Sequence, residues 1–440
     1  MRSGDKARHG AMRSHGLRHN AASGTAAMRR SEARREGQPA QARRPAGPHR
    51  EPRAKGEDLA GRSRGTAAPC PCRSFPTPTS QRAAPKLSRP PSCSVSRVRS
   101  RVLHCHVGLA RVVDRAVPSL DVSAFGEILW DCFDEAPSAH GFGDRFVRRL
   151  GGAPANVAAT VARLGLRSTV LGGVGNDAFG LDLRAELVRA GVDERGILTL
   201  PERTGLTFVS RGAGGQPSFL FYRHETADMS VASHHVHPAM VDARYLVVGT
   251  STFVERKLRA ASRRFVRMGV DGGGALVVDL NVRAHLWKKL EGLEQVCDAL
   301  VRKASIVKAS DDDVARLPVA DPERWLRGRC KKAVLVRTHG EGGATAIGAF
   351  GEVRVEAPSV RCVDATGAGD AFLSGVLAAL SALRAHPGSE RFSKAESWTD
   401  ALRLGCALGA KATTAEGAVT ALEDLSAEVA LLSALGQRDA

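Results

Sequence analysis

Val363–Asp364–Ala365–Thr366–Gly367–Ala368–Gly369–Asp370–Ala371–Phe372 lies between a strand-like run, Val353 to Val360, and an apolar run with helical spacing, Phe372 to Leu380. Small residues at Gly367, Ala368 and Gly369 allow a tight turn and a close approach of backbone to ligand. The N–H groups of Ala368, Gly369 and Asp370 then fall at a helix N-terminus. No carbonyl of the helix reaches them there, and the helix dipole favours negative charge. Asp370 sets a carboxylate beside this anion cradle. It is placed to take a proton from a hydroxyl while the amides hold the phosphoryl oxygens under attack. Read alone, the same residues also fit an ordinary capped helix.

A second stretch decides between the two. Gly151–Gly152–Ala153–Pro154–Ala155–Asn156–Val157–Ala158 pairs glycines ahead of a helix-like run ending at Leu164. Together the two stretches resemble the two signatures of the ribokinase/PfkB family of sugar kinases. The resemblance runs on through Gly126–Glu127–Ile128–Leu129–Trp130–Asp131, Phe221–Tyr222–Arg223, Asp279–Leu280–Asn281–Val282–Arg283 and Gly417–Ala418, in family order, from about Asp121 to the C-terminus. The chain has no Walker A lysine motif, so a P-loop enzyme is excluded and the glycine cradle must do that work.

The resemblance implies ATP-dependent phosphorylation of a sugar's primary hydroxyl. Asp370 is then the base, Gly367, Ala368 and Gly369 complete the anion hole, and Mg2+ bridges the phosphates. Asp131, Gly152 and Asn156 match sugar-binding positions, with Arg223 and Arg283 as further sugar ligands. For Arg223 a solvated strand end, and for Arg283 an ion pair with Asp279, are the plain alternatives. Lys308, Ser310, Thr338 and Gly340 fall where the family contacts the nucleotide. Where the family often has Asn-x-x-Glu, this chain has Ser310–Asp311–Asp312–Asp313, so Asp313 stands in for the Mg2+-linked glutamate with a shorter carboxylate. Asp364 and Thr366 fall where some members bind a monovalent cation, K+. The sugar-end runs, including Phe219 to Arg223 and Ala227–Asp228–Met229, look most like fructokinases. 2-Keto-3-deoxygluconate kinase is the close rival and ribokinase a further one. The acids Asp131 and Asp228 disfavour an anionic sugar if both face the pocket. A non-catalytic sugar- or nucleotide-binding module is the alternative of a different class; the presence of Asp370 argues against it.

Charge is distributed unevenly. Residues 1–118 hold 25 Lys and Arg against 7 Asp and Glu, so the whole formal charge of +18 lies there, and residues 119–440 hold 39 of each sign. The first 118 residues are rich in Arg, Ala, Gly, Ser and Pro, with Phe75 as their one aromatic residue. Such a segment buries too little apolar surface to offset its ordering entropy, and we read it as a disordered basic extension. An upstream extension absent from the working protein, a targeting segment and a polyanion-binding tail compete as accounts, and the first is favoured. Base stacking is unsupported, so nucleic acid is expected only as a non-specific contact of this tail. The nine cysteines form no tight framework, and Cys132, Cys297, Cys330, Cys362 and Cys406 read as free thiols in a reducing compartment. No apolar run is long enough to span a bilayer. A cytoplasmic location is expected, with a sugar and ATP as partners and a homodimer through lid strands as a family-based option.

From residue 119 onward the chain reads as one sugar-kinase domain. Val122 to Leu129 reads as a first strand, with Asp131 just beyond it. Helices are expected over Pro154 to Leu164, Phe179 to Ala190 and Thr399 to Thr414, and strands over Ser168 to Gly172, Tyr245 to Val248, Ala275 to Asp279, Ile306 to Lys308, Ala333 to Arg337 and Ala344 to Ile347. Thr207–Ser210 and Ser218–Phe221 flank a glycine-rich turn, a hairpin signal within a lid at about 204–223. Alternation of this kind argues for a mostly parallel sheet with helices on both faces. The expected class is therefore α/β, a ribokinase-like three-layer α/β/α sandwich with a small β-sheet lid.

Overall fold

The first apolar run does not make one strand. A computed structural model of the chain describes residues 117–135, 142–211 and 217–437, and in it the run breaks at Gly126. That glycine has φ 148°, and a Cβ there would lie 2.7 Å from Pro154 Cγ. The break yields β1 (Leu120–Phe125) and β2 (Leu129–Asp134), which belong to different sheets. The reading of the first 118 residues as disordered falls almost wholly outside the described residues.

Along the chain follow β3 (Phe146–Gly151), α1 (Ala153–Arg163), β4 (Ser168–Gly175), α2 (Ala178–Arg189), β5 (Ile197–Leu200), β6 (Gly205–Arg211) and β7 (Pro217–Tyr222). Then come α3 (Pro238–Val241), β8 (Ala243–Gly249), α4 (Arg256–Asp271), β9 (Ala275–Asp279), α5 (Leu290–Val301), β10 (Ile306–Ser310), α6 (Asp311–Arg316) and α7 (Pro322–Arg329). The chain ends with β11 (Val334–Thr338), β12 (Ala344–Gly348), β13 (Gly351–Val355), α8 (Ala368–Ala382), α9 (Ala395–Ala412) and α10 (Ser426–Gln437).

Nine strands form the main sheet in the order β13-β12-β11-β10-β9-β8-β1-β4-β5. Neighbours from β11 through β5 are parallel, and β12 and β13 add antiparallel at one edge. Parallel neighbours need crossovers, and helices covering both faces let the strands be apolar on both sides. Alternation sorts the side chains. Tyr245 and Val247 join the cluster containing Val376, Trp398 and Leu402, while Leu246 and Val248 join the opposite one with Phe265, Leu293 and Leu326. Two cores thus clamp the sheet and hold the C-terminal ends of its strands in fixed positions.

The lid includes the expected region at about 204–223 and adds β2 and β3 to it. Its four strands run β3-β2-β6-β7, with β2 and β6 parallel and the other pairs antiparallel. The basic run Arg145 to Arg149 is mostly β3. Asp131, expected just past a strand of the main sheet, instead sits within β2 on the lid. The run from Val353 also ends early, at Val355. Pro358 cannot donate to a ladder, and the irregular stretch from Ala357 to Thr366 contributes to the wall of the large cavity described next.

Candidate active site

The site is built around the start of α8. Gly367 takes the left-handed conformation, φ 75°, and a Cβ there would lie 2.3 Å from Ala418 Cβ. The Gly367 turn therefore packs against the Gly417–Ala418 loop, and only glycine fits. The Ala371 N–H bonds Gly367 O at 2.9 Å, so the amides of Gly369 and Asp370 precede the helix's own ladder. Asp370 is buried, and its Oδ2 accepts a 2.8 Å hydrogen bond from Asn156 Nδ2. Burial pushes its carboxyl up to about 7; the Asn156 bond opposes this, Asp279 adds to it, and Lys308 and Arg283 oppose it.

Asn156 is in α1, behind Gly152, whose φ is 98°. A Cβ on Gly152 would lie 2.3 Å from Glu127 O, so this turn too demands glycine. The carboxamide of Asn156 spends its N–H2 on Asp370, and its buried Oδ1 has no partner. That oxygen is an open acceptor beside Asp370. Asp131 enters the same cavity from the lid, and burial together with Asp370 pushes it up to about 7 against Arg223 and Arg283.

Arg223 is not a solvated strand end. Its Nε and Nη2 donate to Asp228 Oδ2 at 2.8 and 2.6 Å, and Glu127 lies 3.8 Å away. Asp228 is fully buried and also accepts from Thr226. It serves to fix Arg223 and does not present a charge to the pocket, so only Asp131 remains of the two acids expected to disfavour an anionic sugar. Arg283 does not pair with Asp279. Asp279 instead takes Lys308 Nζ at 2.9 and 3.1 Å, which leaves Arg283 on the cavity wall.

Lys308 is buried, and a Cβ on Gly369 would lie 2.9 Å from its Nζ. Burial alone would lower its pKa, but Asp279, Asp313 and Asp370 outweigh that and raise it. A fixed positive charge therefore lies next to the anion hole. Ser310, Thr338 and Gly340 line the cavity at the ends of β10 and β11. Asp313, expected to be linked to Mg2+, also caps a helix. Its Oδ2 accepts from Ser310 N and Oγ at 2.9 and 2.8 Å, closing a capping box, and its Oδ1 accepts from Val282 N at 2.7 Å. Asp364 is likewise engaged, by Thr366 N and Oγ and by Gly417 N. Among the described residues no group of three or more His, Cys, Asp or Glu is arranged to hold a metal.

Apart from Ala371, Ala418, Thr226, Asp228 and Gly417, these residues line one cavity of about 1210 Å³, large enough for two small ligands end to end. The glycine pattern pointed to the anion hole. Two contacts have no local signal, Glu127 beside Arg223 and the Lys308–Asp279 pair, because each joins segments far apart in the chain; Asp228 lies only five positions from Arg223.

A mostly parallel sheet, an anion hole with a buried carboxylate at its strand ends, and a β lid above define a small-molecule kinase of ribokinase-like fold. The chain belongs to the pfkB family of carbohydrate kinases, whose sequence profile matches residues 119–437. It is thus an ATP-dependent sugar kinase. Fructokinase-2 of Oryza sativa subsp. japonica is 32% identical over 72% of this chain and 95% of its own length. Among solved structures, a fructokinase from Xylella fastidiosa with bound ATP is 29% identical, with a TM-score of 0.62 over 71% of this chain and 97% of its own. The aminoimidazole riboside kinase of Salmonella enterica, in complex with aminoimidazole riboside and an ATP analogue, is 28% identical, with a TM-score of 0.60 over 71% of this chain and 99% of its own.

Proposed function

We propose that the chain converts fructose to fructose 6-phosphate at the expense of ATP, with Asp370 as the general base. The observation that carries this is the buried Asp370 carboxylate, held by Asn156 at the amide-lined start of α8 and sharing a cavity with Asp131, Arg223 and Arg283. Asp370 accepts the proton of the primary hydroxyl. That oxygen bonds to the γ-phosphorus as the bond to the β,γ-bridging oxygen breaks, and ADP departs with the electron pair. The Gly367–Asp370 amides and the Lys308 ammonium meet the charge on the transferring group. Asp131 and the open Asn156 Oδ1 accept hydrogen bonds from sugar hydroxyls, and Arg223 and Arg283 donate to sugar oxygens.

For Mg2+, the residues fit an ion carried mainly by nucleotide phosphates and water, because Asp313 already has donors on both oxygens. The Asp364 carboxylate accepts from Thr366 and from Gly417 and keeps further lone pairs, so Asp364 and Thr366 stay the proposed K+ position. The similarity to fructokinases supports fructose. 2-Keto-3-deoxygluconate and ribose remain the rival acceptors, and the masking of Asp228 by Arg223 keeps the anionic rival in play.

Initial rates with ATP and fructose, 2-keto-3-deoxygluconate, ribose or adenosine test the assignment; the highest kcat/KM is expected for fructose. Folded chain without transfer to any of the four would favour a binding module. Asp370→Asn is expected to bind ATP and sugar as before and to lose about 10²- to 10⁴-fold in kcat, the scale of a lost general base. Turnover near wild type in that variant would remove Asp370 from the role.

A further inference from the structure

One contact crosses from the lid to the main sheet with no backbone pairing to support it. On β7, Phe219 and Phe221 alternate with Leu220 and Tyr222, so the two phenylalanines share the cavity face. Their rings stack at 6.0 Å with an interplanar angle of 12°. Phe221 then stacks on His285 at 5.3 Å and 19°. His285 lies in the 3-10 turn Ala284–Leu286, which starts at Arg283, between β9 and α5. Three rings thus form a row from the lid edge to the loop that presents Arg283, and all three line the cavity.

These rings are poorly covered. Phe219 is 41% and Phe221 38% exposed, more than core packing would leave. Offset stacking of this kind adds to area burial without locking the backbone. A weak, ring-specific contact of this sort can open and close.

We propose that the Phe221–His285 stack is a latch that holds the lid over the acceptor end of the cavity, positions Arg283 and keeps bulk water off the acceptor position. The proposal rests on the kinase assignment above. A kinase must prefer a sugar hydroxyl to water, although the same base can serve either. In the side reaction a water oxygen bonds to the γ-phosphorus, the bond to the β,γ-bridging oxygen breaks, Asp370 takes the water proton, and ADP and inorganic phosphate leave. Exclusion of water by closure suppresses that route. Phe221 and His285 are positioning residues: they touch each other across the closure and act on the reaction through Arg283 and the lid.

The test uses the full chain with Phe221→Leu, His285→Ala, the double variant and His285→Phe. For each, ATP hydrolysis without sugar is compared with transfer to fructose, and amide exchange of Gly205–Arg211 and Pro217–Tyr222 is followed with ATP and fructose bound. Phe221→Leu and His285→Ala are expected to raise the KM for fructose about fivefold or more and the ratio of hydrolysis to transfer about tenfold. The KM for ATP should stay within about twofold, and exchange in the lid strands should rise. The double variant should be no worse than either single variant, and His285→Phe should restore the wild-type ratio. An unchanged ratio in folded ring variants, or His285→Phe as leaky as His285→Ala, would overturn the latch. Wild-type chain that phosphorylates no sugar would instead overturn the kinase assignment, which separates the two failures.

Discussion

Asp370 and Asp131 share one cavity, and burial, the largest cause for each, pushes both to about 7. Both bind a proton in the folded chain at a pH where the unfolded chain has released it. Their contribution to stability is therefore full below about pH 4 and is lost as pH rises to about 7. Asp370→Asn removes one such charge and keeps an acceptor for Asn156. It should melt several degrees higher than wild type at pH 8, with the gap closing as pH falls to about 4; a lower melting temperature at pH 8 would contradict this. In wild type, the same ionisation should give kcat/KM an acid limb that climbs through about pH 7. Asp370 was legible in the sequence because its partners, the helix-start amides, are its chain neighbours. Its hydrogen bond to Asn156 was not legible, because 214 positions separate the two.

At the scale of elements, α8 and the Gly417 loop are held in contact by a missing side chain. Gly367→Ala would force φ 75° on a residue with a Cβ and drive that Cβ into Ala418. A loss of roughly 1–3 kcal/mol in unfolding free energy is expected, together with weaker ATP binding, as measured by denaturant melts and nucleotide titration. Wild-type values for both would mean the loops do not need this contact.

The lid poses the opposite problem, an uncovered surface. On the face away from the cavity, Phe208 meets Phe142, Phe146 and Tyr222 edge-on, while Phe146, Leu220 and Tyr222 are 38%, 44% and 58% exposed. We propose that the lids of two copies cover each other. Sedimentation should show a dimer that Tyr222→Lys dissociates; a monomeric wild type at micromolar concentration would end this proposal. The hairpin of the lid was readable from its alternation and glycine turn. The membership of β2 and β3 was not, because a strand's choice of sheet is set at Gly126 by tertiary packing.

Across the whole molecule, the main sheet and both cores draw on residues from Leu120 to Leu435. A chain beginning at Val117 is accordingly expected to match the full chain in melting temperature and in kcat/KM; failure to fold would show that the first 116 residues contribute to the core. Sequence by itself determined the class of fold and the anion hole, because strand and helix periods and glycine-dependent turns are local properties of the chain. It also located Asp370. Tertiary structure decided what most of the charged groups do. Arg223–Asp228 and the Ser310–Asp313 cap span only a few positions, but Lys308 takes the partner considered for Arg283, Asp313 also holds Val282, and Asp131 descends from the lid. These last three depend on which distant segments meet in a buried site, where an unpaired charge or an orphaned donor is costly, and no local pattern encodes that meeting.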